Sequence, residues 1–334
     1  MKNTIYRVLW CIGCVLVLSV GHAHALQLLD TQPLLTSMYA IYSPADDLYV
    51  AGWKTVVDQQ ACTMMSGGEV VGNPNQPCDR IYKAENGNLI QNFALLGKAV
   101  NDPTFVRPPS VDGVDRSQWL FMYYTVIDHV HYFPCEEGMD DCTRYNEVGF
   151  ASSVDGGLTW ANHGVILGLA NGLVYNNEGC GAWSPSALVV DNQIWLYYHL
   201  NSQCISLAFT DPVQFIGLTK LNANGWQIIE QHFVETPMFV VNIDVQQRPN
   251  GLFLMVGNTG EQNALIALES GDGESFIEHH ETLDGRIIIA APGVFTITPA
   301  LSAVTNSSWS LTFSYGEVGV MNTSSVHRWK FQEE

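Results

Sequence analysis

Five short runs rich in aromatic residues recur along this chain, and they constrain its fold more than any other feature. They are Leu48-Tyr-Val-Ala-Gly-Trp53, Leu120-Phe-Met-Tyr-Tyr-Thr125, Trp195-Leu-Tyr-Tyr-His-Leu200, Leu252-Phe-Leu-Met-Val-Gly257 and Leu311-Thr-Phe-Ser-Tyr-Gly316. Their first residues lie 72, 75, 57 and 59 positions apart. The runs hardly alternate apolar with polar residues, as expected of strands covered on both faces. No long segment shows helical periodicity. Each run has an upstream partner: Ser37-Met-Tyr-Ala-Ile-Tyr42, Asp102-Pro-Thr-Phe-Val106, Ser184-Pro-Ser-Ala-Leu-Val-Val190, Thr236-Pro-Met-Phe-Val-Val241 and Ala291-Pro-Gly-Val-Phe-Thr296. Four of these begin with X-Pro, which a strand tolerates at its first residue because the missing donor costs nothing there. Downstream partners are Arg80-Ile-Tyr-Lys83, Glu147-Val-Gly-Phe-Ala151, Ile205-Ser-Leu-Ala-Phe209, Ala264-Leu-Ile-Ala-Leu268 and Val318-Gly-Val-Met321. Five copies of a three-to-four-strand unit predict an all-β, five-bladed β-propeller, in which neighbouring blades cover one another's faces. A β-sandwich with long insertions is the rival, and it leaves the repeated X-Pro starts unexplained.

The first 25 residues read as a signal peptide. Lys2 and Arg7 precede an apolar run from Val8 to Val20, and Ala23-His24-Ala25 offers a cleavage site. The run is too short to favour a spanning helix. The expectation is a secreted or periplasmic chain, with residues 26–334 forming one propeller domain and no membrane insertion after signal removal. Six cysteines remain, and an even number in an exported chain suggests disulfides, with 15 connectivities open. Sequence neighbours would each staple one loop: Cys62 with Cys78, Cys135 with Cys142, and Cys180 with Cys204. None has the close paired spacing of a zinc site. Losing Lys2 and Arg7 takes the formal charge from −19 to −21. That excess repels nucleic acid, anionic membranes and polyanionic substrates, unless a local basic pocket overrides it. With 14% charged residues the surface must be largely amide, hydroxyl and aromatic, which suits neutral sugars.

Between two strand-like runs stands Ser153-x-Asp155-x-Gly157-x-Thr159-Trp160, with a degraded copy at Ser270-Gly-Asp272-Gly-Glu-Ser-Phe276. Small polar residues and glycine there make a hairpin turn. The spacing resembles the Asp-box that caps outer hairpins in sialidase-like and related propellers. Asn101-Asp102-Pro-Thr-Phe, the following Trp119-Leu-Phe-Met-Tyr-Tyr-Thr125 and Val148–Trp160 together resemble a blade of the arabinanase/β-xylosidase and invertase/levansucrase superfamily of glycoside hydrolases. Ala182-Trp183-Ser184-Pro185, followed by Trp195-Leu-Tyr-Tyr198, is similar to the next blade. The likeness runs from about Asn101 to Phe276.

That resemblance implies a ligand face at a central channel, where each innermost strand starts and where the second-to-third-strand loops return. Asp-box hairpins lie on the opposite side. On this mapping the three cysteine pairs gather on the ligand face, as walls of a site. The resembling enzymes place a base Asp, a supporting Asp and an acid Glu at the starts of innermost strands, facing across the scissile bond. Asp102 matches the motif supplying the base or the supporting Asp. Glu235, in Glu-Thr-Pro, is similar to the Glu-Gly-Pro that supplies the acid. The pair is expected to hydrolyse a glycosidic bond, with inversion by family likeness. No carboxylate stands at Met38-Tyr39-Ala40, Trp183-Ser184-Pro185 or Ala291-Pro292, so one of the three is missing. The competing reading is a non-catalytic propeller binding glycan or protein through the same face. Asp128, Glu178, Glu261 and Glu317 are further carboxylates on that face. Trp53, Tyr39 and Trp183 are candidate stacking platforms for sugar rings, and His199 a candidate partner for a sugar hydroxyl or a channel ion. The Ca²⁺ of some relatives is the cofactor the resemblance allows, without an assignable set of oxygen ligands. His129 and His131 share a strand face but lack a third ligand. No Gly-rich phosphate loop, nucleophile elbow or Cys–His pairing is present, which excludes kinases, typical serine hydrolases and papain-like proteases.

Overall fold

The aromatic-rich runs are second strands of antiparallel sheets in a computed structural model. The structure describes residues 26–36, 40–42, 48–52, 62–64, 70–72, 80–85, 88–111, 113–128, 146–168, 170–175, 178–179, 181–200, 213–259, 264–280, 282, 285–289, 294–317 and 325–333. Among them there is no helix, and none long and apolar enough to cross a membrane. The first sheet runs Ala40–Tyr42, Leu48–Gly52, Arg80–Glu85, Asn88–Phe93. The second runs Lys98–Val106, Leu120–Asp128, Glu147–Ser153, Ala161–Leu167, and the third Trp183–Val190, Gln193–His199, Val213–Leu221, Ile228–Thr236. The last is Val294–Ser302, Ser308–Glu317, Ser325–Gln332 and, at its outer edge, Gln27–Thr36 from the other end of the chain.

These four are regular four-stranded blades, where five equal repeats were expected. The sheet from Val240 breaks the pattern and carries five strands: Val240–Gln247, Phe253–Thr259, Ala264–Ser270, and two short strands, Ile277–Glu278 and Arg286–Ile289, that both pair with the third. First strands of successive sheets lie side by side, Ala40–Tyr42 beside Lys98–Val106 and also beside Val294–Ser302, which closes the propeller.

Packing explains why the runs do not alternate. Phe121 and Tyr123 join the core between the second and third sheets, while Leu120, Met122 and Tyr124 join the core between the first and second. Leu196 and Tyr198 face back to the second sheet, and Tyr197 forward to the fourth. Phe253 and Met255 face the third sheet, Leu254 and Val256 the last. Both faces of each strand are thus apolar because each is an intersheet core. The tyrosines also reach across: Tyr123 donates to Gly225 O at 3.0 Å and Tyr197 to Gly273 O at 2.9 Å, each glycine sitting in an outer hairpin of the following sheet.

The outer hairpins at residues 153–160 and 270–276 share their chemistry. In residues 153–160, Asp155 accepts from the backbone N–H of Leu158 and Thr159 and from the Thr159 hydroxyl, while Ser153 Oγ accepts from Gly157 N. In the copy, Asp272 accepts from Glu274 N and Ser275 N, and Ser270 Oγ from Gly273 N. Hydrogen bonds led by those of Thr159 hold the Asp155 carboxyl down to about 2.

Three strand assignments are corrected. The third strand of the third sheet is Val213–Leu221, and that of the last sheet is Ser325–Gln332; residues 205–209 and 318–321 lie outside the described residues. The inner strand of the fourth sheet starts at Val240, beyond the Thr236-Pro237 expected to open it.

Candidate functional site

Four inner strands carry the same irregularity near their start. Register slips between Asn101 and Thr104, Trp183 and Ser186, Val241 and Asp244, and Ile297 and Ala300. An extra residue inserted this way bends the strand and re-aims a side chain. In three of them the residue after the slip begins is left-handed without being glycine: Asp102 (φ 47°), Ser184 (φ 47°) and Asn242 (φ 49°). Asp and Asn tolerate this region better than most residues, whereas branched side chains do not.

The bulges bring these three side chains together. Ser184 Oγ lies 3.0 Å from Asp102 Oδ2 and 3.3 Å from Asn242 Oδ1. Thr125 Oγ1, on the strand beside Asp102, is 3.4 Å from the same carboxylate oxygen and accepts from Ser184 N at 2.7 Å. Among the described residues Asp102 therefore has hydroxyl donors and no cation. The residue keeps some accessible surface, but protein atoms surround its carboxyl. Desolvation raises its pKa from 3.8 to about 6, against the smaller lowering by Ser184 and Thr125. A carboxyl that titrates near neutrality is suited to exchanging a proton or accepting a hydroxyl hydrogen bond.

One step further along the strands a second layer ties sheet to sheet. Thr104 Oγ1 accepts from Ala187 N at 3.1 Å, Ser186 Oγ from Val245 N at 2.9 Å, and Asp244 Oδ2 from Leu301 N at 2.6 Å. Each inner strand thus caps a backbone donor of the next. Asp244 also accepts from Ser186 Oγ at 2.6 Å, and burial raises its pKa to about 6 despite these bonds. Asp244 borders a cavity of about 450 Å³ lined by inner-strand residues such as Gln246 and by Arg107, just beyond the end of its strand.

The expected residues fall as follows. Asp102 is one member of a polar ring formed by the three bulge side chains, with Ser184 between it and Asn242. Glu235 is not beside it: it lies on Ile228–Thr236, the outermost strand of its sheet, with its N–H on Glu274 O and its carbonyl accepting from Phe276 N. The structure does not bring Asp102 and Glu235 together; the side chain beside Asp102 is that of Ser184, which also reaches Asn242. The error has a local cause, since Thr236-Pro237 mimics a strand start while the true one, Val241-Asn242-Ile243-Asp244, lacks proline. In the same way Thr298-Pro299, inside the bulge, and not Ala291-Pro292, corresponds to Ser184-Pro185. The signal that finds Asn242 and Asp244 is the polar-x-polar pattern of Asp102-Pro-Thr104 and Ser184-Pro-Ser186.

Trp183 is partly exposed, its Nε1 donating to Leu200 O at 3.3 Å, and its ring is 5.0 Å from that of His199. His199 is fully buried, and desolvation pushes its pKa down to about 3, so the imidazole is neutral. Neither ring nitrogen has a hydrogen-bond partner among the described residues. The expected role against a sugar hydroxyl does not fit a ring covered in this way; Trp183 is the part of that pair a ligand can reach. Asp128 ends its strand opposite Lys98, and Glu317 ends its own opposite Val294, both at the end where inner strands begin. Glu178 pairs with Tyr175 in a two-stranded ribbon. Tyr39, Trp53 and Glu261 lie outside the described residues, as do Cys78, Cys135, Cys142, Cys180 and Cys204; Cys62 is described only as backbone, opposite Gly72.

No protein-family model matches the chain, and no characterised protein matches it by sequence. Solved structures do. Zg3597, a family 117 glycoside hydrolase produced by the marine bacterium Zobellia galactanivorans, superposes with TM-score 0.54 and 11% identity over 92% of this chain and 90% of its own. RS223 β-xylosidase gives 0.51 and 12% over 91% and 94%. A GH43_1 enzyme from Xanthomonas citri gives 0.50 and 10% over 89% of each chain, and has also been solved with xylose. The chain has the β-propeller fold of these glycoside hydrolases. At such identities the likeness is one of fold.

Proposed function

We propose that this chain is a glycoside-hydrolase-like propeller that binds a neutral carbohydrate at the end where its inner strands begin, with the five-stranded sheet serving as its fifth blade. The observation that carries the reading is the convergence of Asp102, Ser184 and Asn242, three polar residues held left-handed by equivalent bulges. Strained backbone at one end of neighbouring strands marks sites where geometry serves a ligand. A carboxyl, a hydroxyl and an amide side by side match the alternating donors and acceptors of a polyol, and Trp183 offers an apolar face beside them. The xylose complex of the Xanthomonas citri enzyme makes pentose oligosaccharides the first ligands to try.

Hydrolysis is the second reading. Among the left-handed residues of the described bulges only Asp102 is a carboxylate, and Asp244, one step further along its strand, is committed to Ser186 and to the Leu301 N–H, so a catalytic partner must come from elsewhere. Asp128 and Glu317 favour this reading, because both end second strands at the same end of the molecule. Calorimetric titration with xylo-, arabino- and fructo-oligosaccharides tests the first reading, and release of a chromogenic aglycone tests the second. Binding weakened at least tenfold in Asp102→Asn supports the site. Binding undiminished in Asp102→Asn and Ser184→Ala places the ligand elsewhere.

A further inference from the structure

Away from the bulge ring, the split outer edge of the five-stranded sheet gathers three metal-ligating side chains. Glu269 lies on Ala264–Ser270 opposite Ile277, and the chain returns from that pairing directly into His279 and His280. One ligand atom from each of Glu269, His279 and His280 lies within 4.8 Å of the others. We propose that these residues bind a divalent transition-metal ion of the zinc class, with a fourth position open to solvent.

The residue types fit that ion: two imidazoles and one carboxylate are a zinc-type donor set. Zinc–ligand bonds of about 2.0–2.2 Å put tetrahedral donors roughly 3.3–3.6 Å apart, so the donors must close in slightly. His280, with 57% of its side chain exposed, can supply that movement and give the ion its way in. His280 Nδ1 is already 2.9 Å from Glu269 Oε2.

His279 is the fixed member. It is buried, its N–H donates to Ala267 O at 3.1 Å, and its carbonyl accepts from both Thr282 N and Thr282 Oγ1. Its Nε2 is 3.1 Å from Glu333 Oε1 and 3.3 Å from Arg248 Nη2, and the Glu333 carboxylate, gripped by Arg248 and by Trp309 Nε1 at 3.0 Å, is the nearer partner and takes the imidazole N–H in the tautomer that frees Nδ1. A carboxylate on one imidazole nitrogen, orienting the ring for a metal on the other, is the usual support of a metal-bound histidine. The positive charge of Arg248 is matched by Glu333, so it does not stand unopposed beside the ion. The three ligands lie within 12 residues, and Glu333 links them to the C-terminal end of the chain. A bound ion would therefore brace the split sheet against the sheet that closes the propeller.

The test is calorimetric titration of tag-free, metal-stripped protein with Zn(II) alone, read beside thermal unfolding. The expected result is one ion per chain and a melting temperature raised by several degrees. Dissociation constants should be at least tenfold weaker in His280→Ala and in Glu269→Gln, with the thermal shift lost. Both changes are at the surface side of the cluster. Co(II) in place of Zn(II) should give the visible absorption of a four-coordinate site in the parent and not in His280→Ala. Absence of saturable binding, or equal binding by the parent and both variants, overturns the assignment.

Discussion

Replacing Asp102 by Asn should stabilise the protein at neutral pH and do so less and less as the pH falls. Raising the Asp102 carboxyl from 3.8 to about 6 means that the folded state holds its proton more tightly than the unfolded chain does. The sign follows from linkage: between these values the native protein binds more protons, so stability falls as pH rises. The contribution is fully favourable below about pH 4, declines through the window from 4 to 6, and is lost above 6. A shift of roughly two units corresponds to about 3 kcal/mol at pH 7.5. Asn removes the ionisation and keeps an oxygen for the Ser184 hydroxyl. It also tolerates the left-handed backbone, which Ala would strain by about 1 kcal/mol. Some of the gain is offset because the new amide N–H₂ is a buried donor that needs an acceptor. The expected difference is about 1–3 kcal/mol in favour of Asp102→Asn at pH 7.5, and close to zero at pH 4. Urea unfolding of both proteins at half-unit steps measures it, and taking the difference cancels the parallel titration of Asp244. A difference that does not change with pH would refute the reasoning. So would a loss of stability in the variant at pH 7.5. Stability gained together with ligand binding lost would mark Asp102 as a residue kept ionisable for function.

Three other outcomes are expected. Gly273→Ala should cost about 2–4 kcal/mol in urea unfolding, because φ is 76° and an added Cβ would stand 2.7 Å from Trp195 Cζ3 and 2.8 Å from Tyr197 Oη; Gly271→Ala, with nothing within 4 Å, should cost far less. Glu333→Gln should cost about 3–5 kcal/mol at pH 7, since it leaves Arg248 buried beside a neutral partner. Burial raises the Glu333 pKa, but the bonds from His279 and Arg248 outweigh it and set it near 2. The loss should therefore shrink as the pH falls below about 4.5 toward 2, where the parent also protonates. Peptide mapping without reduction, on protein secreted with residues 1–25 as its leader, should find Cys62–Cys78, Cys135–Cys142 and Cys180–Cys204; free thiols or crossed pairs would remove the loop-stapling argument.

The layout of the fold was legible because its strongest signal is energetic. An inner-sheet strand such as Leu120–Asp128 must be apolar on both faces, Met122 toward one neighbour and Tyr123 toward the other, and that requirement writes itself into the sequence as an unbroken aromatic run. Outer strands leave no such trace. Gln27–Thr36 alternates weakly, carries Pro33 and pairs with residues 325–332 at the far end of the chain. Its place follows from closure of the propeller, a long-range event that no local pattern announces. The five-stranded sheet escaped for the same reason, since Arg286–Ile289 pairs across a break with Ala264–Ile266.

Of the candidate site's polar residues Asp102 was legible and Asn242 was not, which shows what proline can and cannot mark. Pro103, Pro185 and Pro299 follow residues 102, 184 and 298 within the bulges of three inner strands, where the ladder is already interrupted and no donor is lost. The fourth inner strand reaches the same bulge with Ile243 in proline's place. What all the ring members share is the residue on the left-handed side, Asp102, Ser184 or Asn242, and two residues later an oxygen, Thr104, Ser186 or Asp244, that caps the next strand. Thr298-Pro299-Ala300 keeps the proline and loses the capping oxygen. Proline is therefore accessory to the pair of polar positions, and the Thr-Pro that follows Glu235 opens no inner strand. Among the described residues the side chains of Asp102, Ser184 and Asn242 meet across three sheets at the end where Asp128 and Glu317 close their strands, so both proposed readings, recognition and cleavage, turn on the same end of the molecule.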